Sequence, residues 1–117
     1  MSESFLILCK QNYFDGITPS NDVNYTKEGY KKAVSIAKKY FQENRYEDFA
    51  GYFQEGQYLI ELWTAHLLIE YGSPSQELKI ASLKIIKKYT DNPLAPDVAE
   101  EEKQWLNKNK DKYKEYL

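Results

Sequence analysis

Gln57-Tyr58-Leu59-Ile60-Glu61-Leu62-Trp63-Thr64-Ala65-His66-Leu67-Leu68-Ile69-Glu70-Tyr71 is the most apolar segment of the chain, and Gly72-Ser73-Pro74-Ser75-Gln76 follows it. On a helical wheel of about 100° per residue, Gln57, Glu61 and Thr64 fall in one narrow polar stripe and nearly everything else is apolar. A helix with so little polar face has to be covered on several sides. Residues 57–71 are therefore the expected central helix, with Leu62, Leu67 and Leu68 in the core. Gly72 reads as its stop. Ser73 is the expected N-cap of the next helix, with Pro74 at its first position and Gln76 reaching back in a capping box. Leu78, Ala81, Leu83, Ile85, Ile86 and Tyr89 then form a broad apolar face. So short a connection leaves room only for a tight antiparallel αα-hairpin.

Working towards the N-terminus, a short helix is expected over residues 45–55, with Tyr46, Phe49, Ala50 and Phe53 on one side and Gly56 as its stop. Before it, Thr26 can cap a helix reaching residue 43, in which Tyr30, Ala33, Val34, Ala37, Tyr40 and Phe41 share a face. Lys27, Lys31, Lys38 and Lys39 fall elsewhere. Residues 15–25 carry Gly, Pro, Ser, Asn and Asp and read as a loop. A first helix capped by Ser2 or Ser4 is expected up to residue 14, with Phe5, Leu8, Cys9 and Phe14 inward. A strand over residues 5–9 is its rival, and helix is preferred because no second strand candidate is present to pair with it.

Towards the C-terminus, Asn92-Pro93-Leu94-Ala95-Pro96 breaks the chain and Pro96 opens a last helix. Asp97, Glu100, Glu101 and Glu102 crowd its N-terminus, where each negative charge is favourable by about 0.3–1 kcal/mol. Val98, Ala99, Trp105 and Leu106 are its packing residues. Beyond Asn107 the chain is mostly lysine with two tyrosines and reads as a fraying tail. The organisation is a single all-α domain over residues 1–117 with five to six helices in antiparallel αα-hairpins. Residues 1–25 form an N-terminal helix and loop, 26–107 a helical core, and 108–117 a Lys-rich tail.

The 117 residues carry a net charge of −2, which gives no reason to approach nucleic acid or an anionic membrane. Basic faces do occur, at Lys27, Lys31, Lys32, Lys38 and Lys39 and again at Lys79, Lys84, Lys87 and Lys88, but acidic residues balance them. Nucleic acid is not expected as a partner. The single cysteine, Cys9, excludes an intrachain disulfide and follows Phe5-Leu6-Ile7-Leu8, where it reads as a small packing residue. That apolar run is too short for a membrane span and no basic segment precedes it, so the expected compartment is the cytoplasm. His66 is the only histidine, and Glu70 lies one turn later on the same face. The pair has the chemistry for acid–base work, yet apolar residues surround it and further ligands are lacking, so it reads as a polar pair within the packing of the central helix. There is no phosphate loop, nucleophile elbow or zinc spacing. Neither an enzyme nor a cofactor or metal is expected.

Eleven tyrosines and five phenylalanines give the chain an aromatic bias suited to partner surfaces. The bias meets charge in one place. Glu43, Glu47, Asp48, Glu55 and Glu61 face only Arg45 and are interleaved with Tyr46, Phe49, Tyr52, Phe53 and Tyr58. Charge to steer and rings to anchor are what the binder of a basic protein needs. The expected partner-binding residues are Glu43, Tyr46, Glu47, Asp48, Tyr52, Glu55 and Tyr58.

The hairpin with small residues Ala65 and Ala81 at its contact, together with Leu62-Trp63-Thr64-Ala65-His66-Leu67-Leu68, resembles small bacterial HEAT-like proteins of a domain family of unknown function. In that family a Trp-Ala-Ala-like stretch lies on a central helix, and a last helix packs through Ala and Trp, matched here by Ala99 and Trp105. The resemblance spans residues 25–107. Glu61 stands where relatives often have a basic residue, and Thr64 replaces an alanine. Proteins of this kind include immunity proteins, so the resemblance implies an immunity protein or antitoxin that neutralises a cognate basic toxin domain by direct binding. A HEAT-like structural or adaptor protein without a toxin partner is the alternative.

Overall fold

The computed structural model describes residues 4–116. Among these residues there are six α-helices: α1 (Phe5–Phe14), α2 (Glu28–Gln42), α3 (Tyr46–Ala50), α4 (Ile60–Tyr71), α5 (Gln76–Tyr89) and α6 (Pro96–Asn109). Short 3₁₀ turns lie at Asp22–Asn24, Gly51–Gln54 and Lys114–Tyr116. Among the described residues there is no strand, and the class is all-α.

The central position of α4 follows from its composition. Every residue from 62 to 69 is buried. Ile60, Trp63, Leu67 and Leu68 pack with Phe5, Leu8 and Cys9 of α1, Ala33 and Ala37 of α2, and Phe49 of α3. Leu62, Ala65 and Ile69 pack with Leu83, Ile86 and Tyr89 of α5 and Trp105 of α6. Two apolar clusters thus share one helix, which is why a polar face would have nowhere to go. Thr64 is accommodated inside because its hydroxyl donates to the Ile60 carbonyl at 2.8 Å. Lys88 and Tyr89, at the end of α5, return to Glu61 in the first turn of α4 at 2.7 and 2.9 Å, so the hairpin is antiparallel.

Several boundaries differ from the periodicity. α4 begins at Ile60, not Gln57, because Tyr58 and Leu59 adopt left-handed backbone with φ of +53° and +59°. That conformation costs about 1–2 kcal/mol per residue. Packing holds it: the Tyr58 ring meets Tyr13 and Phe14, and Leu59 lies against both clusters. The expected helix over 45–55 is shorter, and the tighter 3₁₀ turn that continues it ends at Gln54, before Gly56. α2 starts at Glu28 without the Thr26 cap. Gly29 on α2 has to be a glycine, since a Cβ there would collide with the Asn12 side chain, whose amide donates to the Gly29 carbonyl at 3.2 Å.

Asn12 thereby takes the inward place expected of Phe14, which is 69% exposed; Phe5, Leu8 and Cys9 are buried. Ser4 caps α1 by accepting from the Ile7 N–H at 3.4 Å, while Ser2 lies outside the described residues. Segment 108–116, expected to be a fraying tail, instead packs back on α6. α6 runs to Asn109, and Tyr113 is buried with its ring stacked 5.9 Å from Trp105.

The cap of α5 is Ser75, not Ser73. The Ser75 hydroxyl accepts from the Leu78 N–H at 3.3 Å, whereas the Ser73 N–H donates to the Tyr46 hydroxyl at 2.9 Å and is held outside the helix. Ser75→Ala is accordingly expected to lower stability by about 1 kcal/mol, and Ser73→Ala by much less. Urea unfolding of the two variants side by side checks this, and the reverse ranking would refute the assignment.

Candidate functional site

His66 is the centre of a buried charged cluster. It lies mid-way along α4, 1% exposed, and Glu70 one turn later comes to 2.9 Å of its Nδ1. The spacing of four residues puts both on one face, as the sequence indicates. The fold adds two groups. Glu102 of α6, fully buried, places Oε1 2.5 Å from Nε2, and Ser20 from the loop before α2 places Oγ 2.9 Å from the same nitrogen. The Ser20 hydroxyl donates in turn to the other oxygen of Glu102. Next to it, Asn21 donates to Glu101 at 2.8 Å, and the Trp105 indole stands edge-on to the imidazole at 4.7 Å.

Burial pushes the His66 pKa down, but the charge of Glu102 and the hydrogen bonds to Glu102 and Glu70 outweigh it and hold the value up at about 9. At neutral pH the ring is an imidazolium that donates from both nitrogens. It therefore has no lone pair with which to take the Ser20 proton, although a serine, a histidine and a glutamate stand in a row. Ser20 and Glu70 line a surface cavity of about 340 Å³ with Asn21, Glu101 and Trp105, while His66 and Glu102 lie behind it. The arrangement pins the N-terminal loop, α4 and α6 together. Among the described residues, no three His, Cys, Asp or Glu side chains are placed to hold a metal ion. No helix among them is long and apolar enough to cross a membrane.

The acidic run therefore divides. Asp97 and Glu100 are exposed near the helix start, as a dipole role requires, but Glu102 turns inward. A signal for this is present in the chain, because position 102 is three residues from both Ala99 and Trp105 and shares their packing face.

The acidic-aromatic strip is only partly a free surface. Glu43, Glu47, Asp48 and Glu55 are exposed, and Arg45 is held by Asp48 at 3.0 Å and Glu43 at 3.4 Å. Glu61 is taken up by Lys88 and Tyr89. The rings are mostly used within the chain. Tyr46 stacks on Phe41 at 4.7 Å. Tyr52 lies 4.8 Å from Phe5, and its hydroxyl is 3.0 Å from that of Tyr40. Burial and that hydrogen bond push the Tyr52 pKa up to about 12. On a regular helix Tyr52 would leave the Tyr46/Phe49/Phe53 face, but the 3₁₀ winding from Gly51 turns it inward. Only Tyr58, half-buried, meets exposed rings, those of Tyr13 and Phe14 at 5.6 and 5.9 Å. No family model, curated protein or solved structure matches this chain.

Proposed function

We propose that the chain is a protein-binding module without catalytic activity, working in the cytoplasm, and that its partner is a basic protein domain. The specific form is that of an immunity protein which neutralises a cognate toxin by covering it. The observation that carries this reading is the strip at α3. Glu43, Glu47, Asp48 and Glu55 all reach solvent there, and its one cation, Arg45, is already held by two of them. Such a patch raises the encounter rate with a positively charged surface. The protonated, enclosed His66 supports a structural role for the only Ser-His-Glu alignment noted in the chain. Because Tyr46 and Tyr52 are committed to internal packing, the strip contributes charge more than rings.

The test is a pull-down from native lysate, followed by surface plasmon resonance against a basic protein so captured. Glu47→Lys with Asp48→Lys should slow association about tenfold at low ionic strength, with the deficit shrinking as salt screens the charges and with dissociation little changed. If association is unaffected while circular dichroism shows an intact fold, the strip is not the contact. If the wild-type chain does not bind at all, the toxin-neutralising reading falls.

A further inference from the structure

The cavity of about 340 Å³ in front of the His66 cluster holds an excess of negative charge. Asp22, Glu70 and Glu101 line it, and Glu102 lies behind. The His66 imidazolium answers Glu102, which leaves Lys108 as the one cation of the lining. No lysine or arginine among the described residues forms an ion pair with Asp22, Glu70 or Glu101. The half-buried Tyr25 phenol beside them is pushed up to about 12, first by burial and next by the charge of Glu70. We infer that this cavity binds a guanidinium group, the cation of an arginine side chain or of a small guanidino compound.

The first feature that selects this cation is the supply of acceptors. Glu101 accepts from the Asn21 amide at 2.8 Å through one carboxylate oxygen. The other, Oε1, is shut off from solvent and has no hydrogen-bond partner among the described residues. A buried acceptor left unpaired costs stability, and a donor brought by a ligand would remove that cost. The last torsion of a glutamate is broad, so a small turn of the carboxyl group presents Oε1 to the cavity. Glu70 spends one oxygen on His66 Nδ1 at 2.9 Å and has its other free of any bond among the described residues. The donors of the lining are already engaged within the chain: Ser20 on Glu102, Asn21 on Glu101 and Asn109 on the Trp105 carbonyl.

The second feature is shape. The carboxylates are spread around the wall and do not converge, since no three His, Cys, Asp or Glu side chains among the described residues are placed to hold a metal ion. A guanidinium carries five N–H donors in a flat fork and so reaches separate acceptors that a point charge cannot serve together. The cavity lies at the lower end of the roughly 300–1,000 Å³ typical of small-molecule sites, room for an arginine side chain with its methylene stem. The third is the aromatic wall formed by Tyr25 and Trp105. A guanidinium is weakly hydrated and packs on aromatic rings, so this wall favours it over the strongly hydrated ammonium of lysine.

The cavity shares no residue with the strip at α3, so its failure and that of the toxin reading are told apart. Isothermal titration calorimetry of the full chain takes acetyl-arginine amide, agmatine and acetyl-citrulline amide as probes. The last keeps the shape of arginine without its charge. Acetyl-arginine amide should bind with a Kd of about 1 mM, and the citrulline probe at least about tenfold more weakly. Agmatine binding more tightly than acetyl-arginine amide assigns the site to a free guanidino compound, and the reverse order to a side chain of a partner protein. Glu70→Gln and Glu101→Gln, which keep an acceptor and remove a charge, should each weaken the arginine probe about tenfold. Should these variants fail to fold by circular dichroism, Lys108→Gln decides the matter. Its side chain is exposed, and loss of the competing cation should tighten binding about threefold. The inference is overturned if the arginine probe does not bind at about 20 mM or if the citrulline probe matches it. Unchanged affinity in the folded glutamine variants at positions 70 and 101, or in Lys108→Gln, overturns it equally.

Discussion

Glu102→Ala is expected to destabilise the fold by about 3–5 kcal/mol at neutral pH, the usual consequence of removing one partner from a buried ion pair. The carboxylate is fully buried and answers two groups, the His66 imidazolium at 2.5 Å and the Ser20 hydroxyl. Its removal leaves the buried charge with Glu70 alone and the Ser20 hydroxyl without its acceptor. The same cluster makes stability depend on pH. Folded His66 keeps its proton to about pH 9, while the unfolded side chain releases it near 6.5. Between those values the folded state binds more protons, so stability is fully present below about pH 6.5 and falls as pH rises through about 9. The buried Cys9 thiol and the buried tyrosines, whose pKa values burial also raises, act in the same direction but only above their own unfolded values of about 8.5 and 10. Urea unfolding of the wild type across this range should show the decline, and His66→Gln should flatten its neutral part. A Glu102→Ala loss below about 1 kcal/mol, or a slope that survives His66→Gln, would contradict an ionised cluster.

Leu67→Ala should lower stability by about 2–5 kcal/mol, combining lost transfer energy with the cavity left behind. The side chain is 1% exposed and belongs to the cluster that joins α4 to α1, α2 and α3. Because α4 is covered on opposite sides by two clusters, a neighbour moving in to fill the hole would have to leave its own packing, which places the expectation in the upper half of that range. Thermal and urea melts give the value. A loss under about 1 kcal/mol would mean that α4 is not the hub of the fold.

Charge and exposed rings, expected together in one strip, lie apart in the fold. Charge lies on α3 and its flanks, and exposed rings lie on α1. Tyr58 touches Tyr13 and Phe14 and so stands between the two regions.

The residues alone determined that the chain is all-α and that the helix within segment 57–71 is covered on both sides, though not that it starts only at Ile60. They also determined that α4 and α5 form an antiparallel hairpin, that Pro96 opens the last helix, and that Cys9, Ala33 and Ala37 face inward. These features are legible because periodicity, capping residues and chain breakers act within a turn or two of where they are written. The pairing of His66 with Glu70 is local in the same sense. Its partners Glu102 and Ser20 come from 36 and 46 residues away and enter only when α6 and the N-terminal loop dock on α4. Packing of α3 beside the α4–α5 turn moved the α5 cap, because the hydroxyl of Tyr46 captured the Ser73 N–H across 27 residues. Tertiary packing also drew Tyr52 and Tyr113 inward and left Phe14 outside. An apolar residue records in the sequence only that it tends to be covered. Which surface covers it depends on the packing of whole helices, and at the end of α1 that choice, Asn12 inside and Phe14 outside, belonged to the tertiary structure.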